Sequence, residues 1–187
     1  MLTGQSIYHV NQSIGEYFQK DKICGYYNNM MEKVQKAPQY VDNEDMPSLD
    51  LGNGKQFFFP VGIFQFAFGL LDLYYKFHEE KYKAKFRQCA DWALAHQMET
   101  GAWDNFSYYY SNNPYGAMAQ GEGASLLIRA YVQFKEEKYL SAAKKAIDFM
   151  LLSNTEGGCT EYSGEKNVLT SRISTPQGCF EWIYIFW

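Results

Sequence analysis

The chain has 187 residues, a net charge of −4 at pH 7 with histidine neutral, 47% hydrophobic and 20% charged residues. That length supports one domain with a core of its own. The acidic balance and the lack of a Lys/Arg run argue against a nucleic-acid partner. No stretch reaches the ~20 apolar residues of a membrane span, so no membrane partner is expected.

Aromatic residues are abundant, with 16 Tyr, 14 Phe and 4 Trp. Such side chains either fill a core or stack on sugar rings, since Tyr and Trp join a flat apolar body to a polar tip. Residues Met1 to Val10 show no basic stretch followed by an apolar one. A secretory signal is therefore not read, and the expectation is a cytoplasmic chain with reduced thiols. Cys24, Cys89, Cys159 and Cys179 lack metal-ligand spacing, and so do His9, His78 and His96. No metal and no cofactor are expected.

In chain order, residues 1–59 read as an irregular, partly helical segment. It is weakly helical over 11–36 and turn-rich around Asp42 to Pro47 and Asp50 to Gly54. Gln56 to Phe59 read as a short extended piece leading into Pro60. A helix is predicted from about Val61 to Lys76, where Phe64, Ala67, Phe68, Leu71 and Tyr75 recur at helical steps. A polar break, His78-Glu79-Glu80, turns the chain into a second helix, about Lys81 to Gln97, which Gly101 would stop.

The same pattern then repeats. Phe77-His78-Glu79-Glu80-Lys81-Tyr82 matches Phe134-Lys135-Glu136-Glu137-Lys138-Tyr139 at a spacing of 57 residues. Leu70 with Leu127, Tyr74 with Tyr131, Trp92 with Phe149 and Gly101 with Gly158 keep that spacing. The second unit predicts helices from about Gly123 to Phe134 and Lys138 to Leu152, ended by Gly157-Gly158. Helix pairs of this size stack side by side, and two cannot close a ring.

Two segments carry candidate chemistry. The loop Gly101 to Tyr110 is aromatic yet polar, and offers Trp103 and Asp104 as ligand contacts. It reads equally well as a β-hairpin packed over the helix ends. The run Pro114 to Gly123 opens the next helix, where free N–H groups suit a carboxylate ligand. Tyr115, Met118 and Gln120 are its candidate substrate contacts. Glu122 is the candidate acid/base, or alternatively an acid that complements the helix dipole.

The run Tyr115-Gly-Ala-Met-Ala-Gln-Gly-Glu-Gly, with Leu126 to Tyr131 after it, resembles the C-terminal domain of D-glucuronyl C5-epimerases. Phe59-Pro60-Val61, Ala90-Asp91-Trp92, Gln97 and Gly101-Ala102-Trp103 are similar too. The resemblance covers about residues 40–170. It implies an all-α fold: a partial (α/α) toroid of tandem hairpins, with a β-containing N-terminal segment and a β-hairpin or loop between hairpins. The toroid fragment would be residues 60–162. The implied partner is a uronic-acid polysaccharide or oligosaccharide, whose C5 proton is removed and returned on the opposite face. A homodimer is one assembly left open. A non-catalytic carbohydrate-binding or structural repeat, and a lyase or glycan hydrolase of toroid fold, remain alternatives.

The tail, residues 163–187, diverges. After Tyr162 the family pattern runs Glu-Glu-Tyr-Pro and then Val-Leu-Asn-Gly-Phe, a stretch that carries acid/base residues. With suitable codons, Arg172 to Trp187 read one base later gives Glu-Tyr-Pro-Leu-Pro-Lys-Gly-Val-Leu-Asn-Gly-Phe-Ile-Phe. The expectation is a tail out of frame, with a shift near residues 163–172, and a truncated polypeptide lacking those residues.

Overall fold

The computed structural model describes residues 13–50, 52, 54–105, 107, 114–163, 166–175 and 178–184, with side chains through Glu161. The described fold is mostly helical. Its helices are α1 (Met31–Gln35), α2 (Pro60–Phe77), α3 (Glu80–Ala95), α4 (Ala117–Phe134) and α5 (Glu137–Leu151). Two strands, β1 (Leu49–Asp50) and β2 (Gln56–Phe57), pair antiparallel before α2. The backbone of the tail forms an antiparallel sheet of β3 (Thr160–Ser163), β4 (Lys166–Thr175) and β5 (Gly178–Tyr184), in that order.

Pro60 starts α2 because its fixed φ suits the first helical position, where no N–H is needed. Every α2 residue from Pro60 to Leu73 is buried. Burial on all sides requires cover on more than one face. The contacts of α2 with α1, α3 and α4 supply it. The helices α3 and α5 are more polar, with one buried stripe each.

The repeat seen in the sequence is a repeat in space. His78 and Lys135 end α2 and α4 in the left-handed conformation, at φ 56° and 57°. The His78 N–H donates to the Tyr74 carbonyl, and the Lys135 N–H to that of Tyr131. The two first helices run parallel, because Gln65 meets Glu122 and Tyr75 meets Gln133. The two second helices also run parallel, because Arg87 meets Glu136 and Asp91 meets Lys138 and Tyr139.

A left-handed backbone costs a side-chain-bearing residue about 1 kcal/mol or more, a cost glycine escapes. His78→Gly and Lys135→Gly are each expected to raise stability by up to about 1 kcal/mol in urea unfolding. A loss from either would show that its side chain holds the turn.

Several boundaries differ from expectation. The helix α4 starts at Ala117, so Gly121 and Gly123 lie inside it and not at its opening. Ala117 to Gln120 are good helix formers, and the glycines meet packing needs instead. The helix α3 ends at Ala95, well before Gly101. After α5, Ser153 caps a short turn over Asn154–Glu156 through a reciprocal bond with Glu156. Residues 13–30, read as weakly helical, are irregular, with an isolated antiparallel bridge between Ile14 and Asn28. Among the described residues, no helix is long and apolar enough to cross a membrane.

Candidate functional site

The two parallel helices α2 and α4 carry a polar seam through an otherwise apolar core. Each has two polar positions two turns apart on one face, Gln65 and Asp72 on α2, Glu122 and Arg129 on α4. Repeat-equivalent positions face each other. Gln65 Nε2 donates to Glu122 Oε1 at 2.9 Å. The Arg129 charge acts on Asp72.

The seam is closed from the N-terminal side. Tyr26 stacks on Phe68, with centroids 3.9 Å apart and planes at 11°. Arg129 donates from Nε to the Cys24 carbonyl at 2.8 Å and from Nη2 to the Gly25 carbonyl at 3.0 Å. Its third nitrogen holds Ser125 on its own helix. Lys33, on α1, is 3% exposed and near enough for its charge to act on Glu122.

Burial decides the electrostatics. Glu122 is 8% exposed and Asp72 is fully buried. Burial pushes the Glu122 carboxyl up to about 7, against the pull of the Gln65 hydrogen bond, the Lys33 charge and the Tyr26 hydroxyl. Burial likewise pushes Asp72 up to about 7, with Arg129 lowering it and Glu16 raising it. Lys33 is driven down to about 8 by the same loss of water. Both oxygens of Asp72 and Oε2 of Glu122 have no hydrogen-bond partner. Such orphans are uncommon inside proteins.

The candidates named from sequence separate into two groups. Trp103 is fully buried, and its indole N–H donates to the Ala93 carbonyl at 2.8 Å. Its ring meets Phe64 edge-on at 5.2 Å. The Trp103 N–H donates to Gln120 Oε1 at 3.0 Å, and Gln120 Nε2 donates back to the Trp103 and Gly116 carbonyls. Trp103 and Gln120 are thus core partners that pin the loop to α4, with no face open to a ligand. Gly123 makes this possible, because a Cβ there would lie 2.4 Å from the indole. Gly123→Ala is expected to cost about 1–3 kcal/mol by forcing that ring aside. A melting temperature equal to the parent's would contradict it.

The second group lies nearer the surface. Tyr115 is half-buried; its hydroxyl approaches Met98 Sδ at 3.6 Å and its ring meets Phe149 edge-on at 5.1 Å. Asp104 accepts the Ser107 N–H at 2.9 Å, closing a local turn. Met118 is half-buried on the first turn of α4. Glu122 stands apart from all of these, at the seam, with Gln65. The tyrosines 108–110 lie outside the described residues, as does the tip of the expected β-hairpin. Among the described residues, no group of three potential ligands could hold a metal ion.

Sequence reasoning missed Gln65, Asp72, Lys33 and Arg129. A signal was present: a Gln and an Asp inside a buried apolar helix, repeated as Glu and Arg at the same spacing. It also missed Lys85, whose ammonium is buried and held by the Asn43 and Asp45 carbonyls.

Residues 96–180 match the family model described as the D-glucuronyl C5-epimerase C-terminus. A D-glucuronyl C5-epimerase from Caenorhabditis elegans is 31% identical over 110 residues, covering 54% of this chain. The chain spans only 18% of that relative's length. The matched range runs to residue 180 and so enters the tail.

Proposed function

We propose that this chain is part of an epimerase acting on glucuronate-containing polysaccharide, on the strength of the match of residues 96–180 to the D-glucuronyl C5-epimerase C-terminus and the similarity to a D-glucuronyl C5-epimerase. The observation that carries this is the family match, which includes the whole run Tyr115 to Gly123. The parallel pairing of α2 with α4 supports a further step, that the two hairpins are consecutive units of an (α/α) toroid.

The chemistry sets the demands. The C5 proton lies next to a carboxylate, so removing it creates an enolate-like charge. One group must take the proton, another must return one on the opposite face, and donors must neutralise the charge. A carboxyl with a pKa near 7 suits proton transfer in either direction at neutral pH. Glu122 is such a group, and we assign it the acid/base candidacy within this segment. Asp104, Tyr115 and Met118 are the proposed contacts to the polymer, being the partly exposed members of the earlier set. Trp103 and Gln120 support α4 from behind.

In this proposal the segment does not complete the site alone. The Glu-Tyr-Pro stretch expected by resemblance is not in the tail as written, and one shifted reading frame restores it. The nucleotide sequence tests this: a continuous shifted frame after residue 163 supports it, and a stop codon in that frame ends it.

Recognition of the uronate is tested by titrating the chain with a glucuronate polymer and with the same polymer after carboxyl reduction, following intrinsic fluorescence. Saturable binding to the first and loss with the second is the expected result. Equal binding of both would overturn uronate recognition.

A further inference from the structure

The end of the molecule where α2 and α4 begin is built twice. Phe58 stands just before α2, and Tyr115 just before α4. The Phe58 ring meets Trp92 with centroids 6.4 Å apart, and the Tyr115 ring meets Phe149 at 5.1 Å. Phe58 and Tyr115, like Trp92 and Phe149, are related by the 57-residue spacing of the repeat. The loops that follow return alike: the Trp103 indole donates to the Ala93 carbonyl and the Thr160 hydroxyl to that of Met150, both at 2.8 Å. Because α2 runs parallel to α4, and α3 to α5, the two aromatic pairs lie side by side on one end.

The first pair is the more open. Phe58 is 44% exposed, Trp92 is half-buried, and His96 is exposed. His96 stacks on Trp92, with centroids 4.1 Å apart and planes at 16°. Its Nδ1 lies 2.8 Å from the Trp92 carbonyl, which can only accept, so Nδ1 carries the proton. That leaves Nε2 with no hydrogen bond among the described residues. Phe64 fixes Trp92 from the core side, edge-on at 6.4 Å. The row continues through the exposed Met98, whose Sδ takes the Tyr115 hydroxyl proton at 3.6 Å. The Tyr115 oxygen keeps its lone pairs for another donor. A single exposed ring needs no explanation, but a row of rings already held in place does. Such rings bind at little cost in side-chain freedom. The acidic chain disfavours nucleic-acid bases as their cover. An apolar protein surface would bury His96 Nε2 and the Tyr115 oxygen without partners, which is costly. A pyranose ring satisfies both demands, with a C–H face to stack and a rim of hydroxyls to pair.

We propose that Phe58, Trp92 and His96 form a second sugar-stacking subsite, joined through Met98 to Tyr115, so that the shared end of the two hairpins holds a run of linked pyranose units. Packed helices lie about 8–10 Å apart, wider than one pyranose ring, so the ligand that spans both hairpins is a polymer and not a free sugar. The identity of that polymer as a glucuronate chain rests on the epimerase reading; the stacking subsite itself does not.

Calorimetric titration of the whole chain tests this, with a glucuronate octasaccharide, a glucuronate disaccharide and a neutral glucan octasaccharide as probes. The parent chain is expected to bind the glucuronate octasaccharide at least about tenfold more tightly than the disaccharide. Phe58→Ala and His96→Ala are each expected to remove most of that advantage, and Phe58→Tyr, which keeps the ring, to retain it. Variants that bind the octasaccharide as the parent does overturn the subsite and leave the epimerase reading untouched. Binding of the neutral glucan alone, lost in Phe58→Ala, supports the subsite and overturns the glucuronate reading. A parent chain that binds none of the three overturns the proposal. If Phe58→Ala does not fold, NMR of ring protons in the parent chain replaces it. Shifts at Phe58 and His96 together with Tyr115 on adding octasaccharide support the proposal, and shifts at Tyr115 alone overturn it.

Discussion

Replacing Trp103 by alanine is expected to lower the unfolding free energy by about 3–5 kcal/mol. The indole is fully buried and sits where the loop after α3 returns to α4. It touches both hairpins at once, through Phe64 on α2 and through the close approach to Gly123 on α4. Truncation removes this packing and the bond to the Ala93 carbonyl. The space left has little means of collapsing, because helix backbones form its walls. Trp103→Phe keeps much of the volume and should lose less. Urea unfolding measures both. A loss under about 1 kcal/mol for Trp103→Ala would place the ring at a surface, as a ligand-stacking role requires.

Unfolding free energy is expected to fall by several kcal/mol as pH rises from 4 to 7. The sign follows from proton binding. The native state holds the Glu122 and Asp72 carboxyls near 7, whereas ordinary values are 4.5 and 3.8. Below about pH 4 both states are protonated and the stabilisation is fully present. Between 4 and 7 the unfolded chain has released protons that the native chain keeps, so stability is progressively lost. Each acid accounts for on the order of 3 to 4 kcal/mol at most. Lys33 acts in another window. Its pKa is depressed to about 8 from 10.5, so it restores some stability only above pH 8. Denaturant midpoints across pH 4–8 measure the fall. In Glu122→Gln and Asp72→Asn the corresponding share of the slope is expected to vanish. A parent chain most stable at pH 7 to 8 would contradict the burial argument.

The hairpins were legible because apolar residues recur at helical spacing and the Phe-x-Glu-Glu-Lys-Tyr turn is written twice. Three of the four helix starts followed from that pattern. The start of α4 did not, because Gly121 and Gly123 look like a helix opening. Their placement answers a distant ring, Trp103, which a local pattern cannot show. The same distance effect governed the candidate site. Trp103 beside Asp104 has the polar, aromatic character of a binding loop, yet Gln120 and Ala93 consume its polar atoms. Glu122 was visible as an ionisable group, but its burial depends on residues some ninety positions earlier in the chain, around Tyr26 and Lys33. Residues 13–30 carry no periodicity, so nothing local announced that they would cover the seam.

The similarity to the D-glucuronyl C5-epimerase C-terminus spans residues 96–180. The most direct measurement of the proposed epimerase reading is proton NMR of a glucuronate polymer incubated with the chain in deuterated water. The account predicts deuterium appearing at C5 of the uronate, with no new unsaturation, once the chain is joined to the residues that complete the site. Unsaturated product under those conditions would indicate a lyase, and binding without exchange a non-catalytic module; either would contradict the epimerase reading.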